Sequence, residues 1–342
     1  MSGESSSGGE WYTRLELPAP PEYLFHRADD LRLGDIVEYW RGDAPKLKPG
    51  QAVLVGFPQD EGVRRNQGRP GATQAPREIR QHLYRLTPWD AEHNIDLTDH
   101  HPVDMGSVRI TGSLEDSQAA LGNIVDGILS QGAVPVILGG GHETAYGHYL
   151  GYLANPRPVG IINIDAHLDV RPCLDGQRGH SGSPFRQALE HPTYPLPGNR
   201  YACLGAQPHS VSRAHWQYAR DHGCTVRWCH EMKNSLEQQF LWEIDQLASA
   251  GCQVYVTLDA DVIQLADVPG VSAPNPVGFT GAAAVSLARL AGKSPWVSSF
   301  DLVEICPPCD VNDQSSRWAA LMIWSFLIGL AERRGKIGGL EK

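Results

Sequence analysis

The chain has 342 residues, of which 41% are hydrophobic and 20% are charged, and its formal net charge is −10. This composition allows a large buried core, and the acidic balance argues against a general nucleic-acid-binding role, which usually requires a basic surface. No apolar run is long enough for a membrane span, and seven irregularly spaced cysteines are typical of reduced thiols in the cytoplasm. Residues 1–10 are rich in Ser and Gly, so we expect a disordered tail there.

Strands and helices are predicted to alternate after residues 11–50, a Pro-rich and charged segment that we expect to wrap the surface. In chain order, the predicted elements are a strand at 52–57, helices at 75–86 and 114–131 (the latter capped by Ser113), a strand at 134–138, a helix opening near 142–144, strands at 159–164 and 201–205, a helix at 211–222, a strand at 225–228, a helix at 235–250, a strand at 253–258, a helix at 281–290, a strand at 297–303 and a helix at 315–333 with Gly335 beyond it. This alternation predicts an α/β fold with a three-layer αβα architecture and a mostly parallel central sheet. Because no linker or internal repeat interrupts it, we expect residues 11–342 to form a single domain.

Three long loops, at 58–74, 165–184 and 259–280, follow predicted strands. In open α/β sheets, ligands bind at the carboxyl ends of the strands. Loops of this length within a compact domain are usually functional. The sequence therefore predicts that the active site is built from these three loops and the turn that follows residue 138.

Six side chains that can bind metal ions fall in three clusters, each directly after an apolar run. They are His142; Asp165, His167 and Asp169; and Asp259 and Asp261. Four carboxylates cannot be crowded together at neutral pH without cations, and two divalent ions would balance their charge. This predicts a binuclear metal hydrolase. Oxygen and imidazole ligands without thiolates favour Mn²⁺, although Fe, Co, Ni and Zn stay open.

The three motifs, in this order and spacing, resemble those of the ureohydrolase family, which includes arginase, agmatinase and formimidoylglutamase. They are Gly-Gly-x-His, Asp-Ala-His-x-Asp and a late Asp-x-Asp, within residues 50–330. The resemblance implies an arginase-like fold and two Mn²⁺ ions per subunit. It implies that one ion is bound by His142, Asp165, Asp169 and Asp259, and the other by Asp165, His167, Asp259 and Asp261, with Asp165 and Asp259 shared.

Within the family, the chain looks most like a formimidoylglutamase. It has Gly141-His142-Glu143, where arginases and agmatinases typically have Asp-His-Ser, and residues 60–72, Arg171, 181–185 and 270–274 also look like that branch. The resemblance implies hydrolysis of N-formimidoyl-L-glutamate to L-glutamate and formamide. Because this substrate has two carboxylates, we expect at least one loop arginine to bind it. The candidate substrate-binding residues are Arg64, Arg65, Arg69, Arg171, Arg178 and Ser181.

Three residues are candidates for the chemistry. The resemblance implies that Asp169 orients the attacking water and that Glu304 binds the cationic end of the substrate. His180 lies one residue before the position at which arginase has a proton-shuttling His, and Ser181 occupies that position here. His180 is thus a displaced shuttle, a substrate contact or a loop residue without chemistry.

Two other functions stay open at this stage. A hydrolase for arginine, agmatine or a guanidino acid would use the same ligands and release urea, although several arginines around the site would repel a polyamine. A non-catalytic binding protein could have the same fold. We expect a cytoplasmic homo-oligomer that acts on a small molecule, without a nucleic-acid or membrane partner.

Overall fold

The computed structural model describes residues 10–19, 27 and 29–338, with the side chains of residues 334–338 left out. The strands are β1 (Leu15–Glu16), β2 (Glu38–Tyr39), β3 (Ala52–Gly56), β4 (Trp89–Asp90), β5 (Ile95–Asp96), β6 (Val103–Val108), β7 (Val134–Leu138), β8 (Val159–Ile164), β9 (Tyr201–Ala206), β10 (Thr225–Trp228), β11 (Gln253–Asp259) and β12 (Val297–Val303). The α-helices are α1 (Leu33–Ile36), α2 (Glu61–Arg65), α3 (Ala75–Leu83), α4 (Leu114–Leu129), α5 (Thr144–Leu150), α6 (Pro184–Leu189), α7 (Arg213–Asp221), α8 (Cys229–Met232), α9 (Leu236–Ser249), α10 (Gly281–Lys293) and α11 (Gln314–Gly338).

Ten of these strands form one sheet, in the order β1-β6-β3-β7-β12-β11-β8-β9-β10, with β2 paired to β6. All neighbours are parallel except β1, which is antiparallel to β6. β4 and β5 form a separate two-stranded sheet. The mostly parallel sheet predicted from the alternation of elements is therefore confirmed.

Helices cover both faces of the sheet. Successive residues of β3 contribute to two different hydrophobic clusters, because neighbouring side chains of a strand point to opposite faces. Leu54 packs in the cluster that includes α3, α9, α10 and α11. Val53 and Val55 pack in the cluster of α4 to α7. The strands β3, β7, β8, β9 and β11 are buried throughout, so their largely apolar sequences follow from a sheet that is covered on both sides.

The predicted strands and long helices are confirmed, with shifts of a few residues at their ends. Ser113 caps α4 as expected, since its Oγ accepts a hydrogen bond from the backbone N–H of Asp116 at 3.1 Å. The predicted end of the last helix before Gly335 is wrong, because α11 continues to Gly338. A glycine within a helix costs only about 1 kcal/mol, which neighbouring helical residues offset.

Strand β6 has no counterpart among the predicted elements, because polar residues interrupt its apolar pattern. Asp104 is fully buried there, and its carboxylate accepts two hydrogen bonds, each 2.9 Å long, from Arg80. A buried carboxylate satisfied in this way is compatible with an inner strand. The sequence shows the Asp but not its distant partner.

The segment 11–50, expected to wrap the surface, also extends the sheet. Its described part contributes β1 and β2, which both pair with β6. The predicted tail lies outside the described residues except for residue 10, and the single-domain organisation stays a prediction. Among the described helices, none combines the length and apolar character needed to cross a membrane.

Candidate active site

The candidate metal ligands follow neighbouring parallel strands and therefore meet at one edge of the sheet. Asp165 directly follows β8, Asp259 is the last residue of β11, and Glu304 directly follows β12. β7 lies beside β12, and a turn after it leads to His142. Because β7, β12, β11 and β8 are adjacent and parallel, their carboxyl ends bring these side chains together.

The glycines of the turn before His142 are required by close backbone contacts. A Cβ atom on Gly140 would lie 1.9 Å from the carbonyl oxygen of Gln59, and one on Gly139 would lie 3.0 Å from that of Leu302. Neither glycine has a positive φ angle. Close packing against the loop after β3 and against β12, rather than a left-handed backbone, therefore explains the glycines at this turn.

The first ligand group surrounds the imidazole of His142. Its Nδ1 lies 2.9 Å from Oδ2 of Asp169, 3.0 Å from Oδ2 of Asp259 and 3.3 Å from Oδ2 of Asp165. The other nitrogen, Nε2, lies 3.2 Å from the hydroxyl of Thr257. This second contact fixes the ring so that Nδ1 faces the carboxylates.

The second group contains His167, Asp165 and Asp261. Nδ1 of His167 lies 3.1 Å from Oδ2 of Asp261 and 3.5 Å from Oδ1 of Asp165. Within each group the possible ligand atoms all lie within 4.8 Å of one another. Asp165 belongs to both groups, as a shared ligand would, whereas Asp259 belongs only to the first.

Two observations show that these residues fit divalent cations. Nδ1 of His142 and Oδ1 of Asp261 are buried, and neither makes a well-aligned hydrogen bond with any described residue, although three carboxylate oxygens lie within 3.3 Å of the His142 nitrogen. Leaving such an atom unsatisfied costs about 1–3 kcal/mol, which coordination would remove. The donor set of carboxylates and imidazoles also suits a binuclear hydrolytic site.

The electrostatics of the site also favour bound cations. Burial, together with the charges of Asp261 and Asp165, raises the pKa of Asp259 well above its usual value. Burial raises the pKa of Asp261 to about 6. Burial opposes the charged form of His142, but the surrounding carboxylates raise its pKa well above the usual value. Without cations, this group of side chains holds protons that divalent ions would displace.

Asp169 and Glu304 both have left-handed backbone conformations, with φ angles of +47° and +66°. Such conformations are uncommon for residues other than glycine and cluster at functional sites. The carboxylate of Glu304 is buried, and its Oε1 accepts a hydrogen bond of 2.8 Å from the backbone N–H of His142. Burial and the nearby Asp259 and Glu143 raise the pKa of Glu304 well above its usual value.

A cleft of about 320 Å³ opens above the ligands. It is lined by Asn66, Gln67, Gly68, Arg69, His167, Asp169, Arg171, Ser181, Asp259, Asp261, Ser272, Ala273 and Glu304. Three candidate substrate-binding residues, Arg69, Arg171 and Ser181, thus lie in the same cleft as the candidate catalytic residues Asp169 and Glu304.

The other three candidate arginines do not line this cleft, and their predicted substrate contacts are not supported. Arg64 binds Asp60, and the exposed Arg178 pairs with Asp175 in its own loop. Arg65 pairs with Glu115 at 2.6 Å and donates to the carbonyl oxygen of Gly179 at 2.9 Å. These three arginines use their charges to hold loops in place. The sequence does not show these contacts.

His180 is also placed outside the cleft, and the structure favours its role as a loop residue over a catalytic one. Its Nε2 donates to the carbonyl oxygen of Pro172 at 3.0 Å, and its Nδ1 accepts from the N–H of Gly182 at 3.1 Å. Burial lowers its pKa, so the neutral ring is favoured. With both nitrogens bound to backbone groups, the ring fastens the loop.

Asn66, Gln67, Ser272 and Ala273 line the cleft although the sequence did not single them out. They belong to the long loops at 58–74 and 259–280, so their region was predicted. Their side chains are uncharged and common in loops, so the resemblance of the stretches 60–72 and 270–274 to formimidoylglutamases was the sequence signal for them, and the folded chain shows which of these residues line the cleft.

Comparisons with known proteins agree with the geometry. Residues 50–329 match the model of the arginase family. Formimidoylglutamase of Geobacillus sp. (strain WCH70) is 38% identical over 330 residues, covering 95% of this chain and 96% of that protein. Formimidoylglutamase of Klebsiella pneumoniae subsp. pneumoniae is 33% identical over 318 residues, covering 90% and 97%.

Solved structures give the same result. Trypanosoma cruzi formiminoglutamase with bound Mn²⁺ is 34% identical, with a TM-score of 0.80 and coverage of 89% of this chain and 100% of that one. Formimidoylglutamase from Bacillus subtilis, at 24% identity, has a TM-score of 0.83 over 91% of this chain and 95% of that one, and shows the shared fold. The sequence match, the fold and the ordered ligand motifs lead to one conclusion: the chain belongs to the arginase family.

Proposed function

We propose that this chain hydrolyses the C–N bond of N-formimidoyl-L-glutamate to give L-glutamate and formamide, with two Mn²⁺ ions as cofactors. The observation that carries the proposal is a single cleft with two groups of metal-binding side chains at its base and Arg69, Arg171 and Ser181 in its lining. Relatives that are 33–39% identical over most of the chain are formimidoylglutamases.

The charges of the cleft complement this substrate. N-formimidoyl-L-glutamate has two carboxylates and a formamidine group that is cationic at neutral pH. Arginines are suited to carboxylates because the guanidinium forms bidentate hydrogen bonds. The acidic side chains at the bottom of the cleft, including Glu304, complement the cationic formamidine of the substrate. The distribution of charge therefore orients the substrate with its formamidine toward the metal ligands.

His142, Asp165, Asp169 and Asp259 would hold one ion, and Asp165, His167 and Asp261 would hold the other, with Asp259 as a second shared ligand in our proposal. Bound divalent ions supply Lewis acidity and make water a stronger nucleophile near neutral pH.

The protein's own side chains would orient the reactants and move the proton. Asp169 accepts a hydrogen bond from the attacking water at Oδ1, since its Oδ2 faces His142. Glu304 pairs with the formamidine N–H groups and stabilises the positive charge beside the attacked carbon. Asp169 then delivers the proton to the glutamate nitrogen, so that the tetrahedral intermediate collapses to glutamate and formamide. Ser and Cys nucleophiles are not needed.

We also propose that the enzyme is a homo-oligomer and is located in the cytoplasm. An enzyme of the arginase family acts on a small molecule. The oligomeric state and the cellular location stay predictions, which light scattering and fractionation would test.

A substrate panel tests the proposal. The protein is reconstituted with Mn²⁺ and incubated separately with N-formimidoyl-L-glutamate, arginine, agmatine and 4-guanidinobutyrate, and both formamide and urea are measured. We expect formamide from the first substrate and little urea from the others. Release of urea without formamide would contradict the proposal and would indicate a hydrolase for guanidino compounds. No product from any substrate, at full metal content, would favour a binding protein.

The Asp169→Asn variant is the control for this panel. It should retain the fold and lose formamide release, so that contaminating hydrolases are excluded as the source of activity.

A further inference from the structure

The side-chain amide of Asn66 joins two polar groups of the cleft. Asn66 directly follows helix α2. Its Nδ2 donates a hydrogen bond to Oγ of Ser181 at 3.1 Å, and its Oδ1 accepts one from Nη1 of Arg171 at 3.2 Å. The orientation of the amide follows from this chemistry, because a guanidinium can only donate and must therefore face the amide oxygen.

The backbone brings the same three residues together. The N–H of Arg171 donates to the carbonyl oxygen of Gly182 at 2.9 Å. A Cβ atom on Gly182 would lie 2.8 Å from Cδ of Arg171 and 3.1 Å from Nδ2 of Asn66. Only glycine therefore leaves room at position 182 for Arg171 and Asn66 to meet beside Ser181.

This arrangement leaves donors for a ligand. Nε and Nη2 of Arg171 make no hydrogen bond with any described residue, and the hydroxyl of Ser181 accepts from Asn66, which leaves its own hydrogen to donate. Arg69 differs, since its Nη2 and Nε are bound to the carbonyl oxygens of Val271 and Ser272 at 2.6 and 2.9 Å. Arg171 and Ser181 thus offer donors, whereas Arg69 mainly fastens two loops to each other.

We propose that Asn66 is a positioning residue that holds Arg171 and Ser181 as a binding pair for a substrate carboxylate; this rests on the proposed function. An exposed arginine loses up to about 2 kcal/mol of rotamer entropy when a ligand immobilises it, so restraint before binding increases affinity. An amide suits this task because it orients Arg171 without neutralising its charge. A carboxylate at position 66 would compete with the substrate for the guanidinium.

The test compares Asn66→Ala, Asn66→Asp and Arg171→Ala, with Asn123→Ala on the exposed face of α4 as a matched control. The readouts are kcat and KM for N-formimidoyl-L-glutamate, the Ki of L-glutamate, and Mn²⁺ affinity by calorimetry. For Asn66→Ala we expect KM and Ki to rise about tenfold, as for loss of one hydrogen bond, with kcat and Mn²⁺ affinity nearly unchanged. Asn66→Asp should raise both constants further, and the control should change neither.

Two further measurements separate positioning from a general structural effect. If Asn66 acts through Arg171, adding Asn66→Ala to Arg171→Ala should raise Ki much less than it does in the wild type. Asn66→Ser, which keeps a small polar side chain but cannot bridge both partners, replaces Asn66→Ala if that variant does not fold, with the same expected rise in Ki.

An unchanged Ki in Asn66→Ala, or a fall in kcat at constant KM, would overturn the positioning role. In that case, turnover by the wild type would still support the proposed function. If the wild type releases no formamide, the proposed function fails, and calorimetric binding of L-glutamate to wild type and Asn66→Ala still decides the role of Asn66. If the wild type releases no formamide and L-glutamate also binds neither protein, both proposals are overturned.

Discussion

Gly141 and Glu143 are sterically coupled, because a Cβ atom on Gly141 would lie 2.2 Å from Oε2 of Glu143. Glu143 is fully buried, and its Oε1 accepts a hydrogen bond of 2.7 Å from the backbone N–H of Gly62 in helix α2. Burial raises its pKa to about 8. Asn66 directly follows the same helix. The glycine before His142 and the loop at 58–74 are therefore parts of one packed unit.

This coupling predicts that Gly141→Ala destabilises the protein by about 1–3 kcal/mol, as overpacking of a buried site does. Shortening Glu143 to Ala should cost stability on its own, because the N–H of Gly62 loses its acceptor. The double variant should lose less than the sum of the two, since the closest clash partner has gone, although Cγ2 of Val63 remains 2.4 Å from the same Cβ position. Urea-induced unfolding measures all three. Strict additivity would mean that the two positions are independent.

The two kinds of candidate metal ligand should respond differently to substitution. Asp165→Asn removes a carboxylate common to both ligand groups, so we expect a large loss of bound Mn²⁺ together with activity. Asp169→Asn should retain more metal than Asp165→Asn does. Its kcat should still fall by about 10²–10⁴-fold, because the carboxylate of Asp169 also transfers the proton. Metal content by mass spectrometry and kcat on the same samples give the comparison. Near-normal kcat for Asp169→Asn would refute its role.

The protonation of the ligands predicts how Mn²⁺ stabilises the protein at different pH values. The raised pKa of Asp261, about 6 against 3.8 in the unfolded chain, means that the metal-free fold loses stability as pH rises through this range. The raised pKa of His142 acts in the same direction above its unfolded value of 6.5. Because Mn²⁺ must displace these protons, the increase in Tm on adding Mn²⁺ should grow from about pH 5.5 to about pH 8.

Thermal scans with and without chelator, at constant ionic strength, would measure this dependence. A Tm increase that is constant or falls across the range would show that the ligands are already deprotonated in the metal-free protein.

The hydrogen bonds of His180 predict that it supports the loop rather than the chemistry. His180→Asn should lower Tm and leave kcat within a few-fold of the wild type, because no step passes through the ring. The acidic and basic limbs of the profile of kcat/KM against pH should lie where they do in the wild type. Gln187→Ala, in the neighbouring helix, is the control for local loosening of the loop. Loss of one limb of this profile, together with a hundred-fold lower kcat, would restore a proton-shuttling role.

The sequence predicted the parts of the site that depend on local pattern. Asp165, His167 and Asp169 follow a buried strand, and parallel strands carry such residues to a common edge. It did not separate Arg171 from Arg178, because both lie on one loop and only the folded chain turns one toward the cleft and the other toward Asp175. Strand β6 was missed for a related reason, since Asp104 needs a partner that is distant in sequence.

We propose that two metal ions at the base of the arginine-lined cleft drive formamidine hydrolysis. To test this role, metal-free protein is titrated with Mn²⁺, and the initial rate of formamide release from N-formimidoyl-L-glutamate is measured at each addition. We predict a rate that rises until two ions are bound per chain, as the two ligand groups imply. Full activity with one ion bound, or no formamide at any loading, would rule out this role of the two ions.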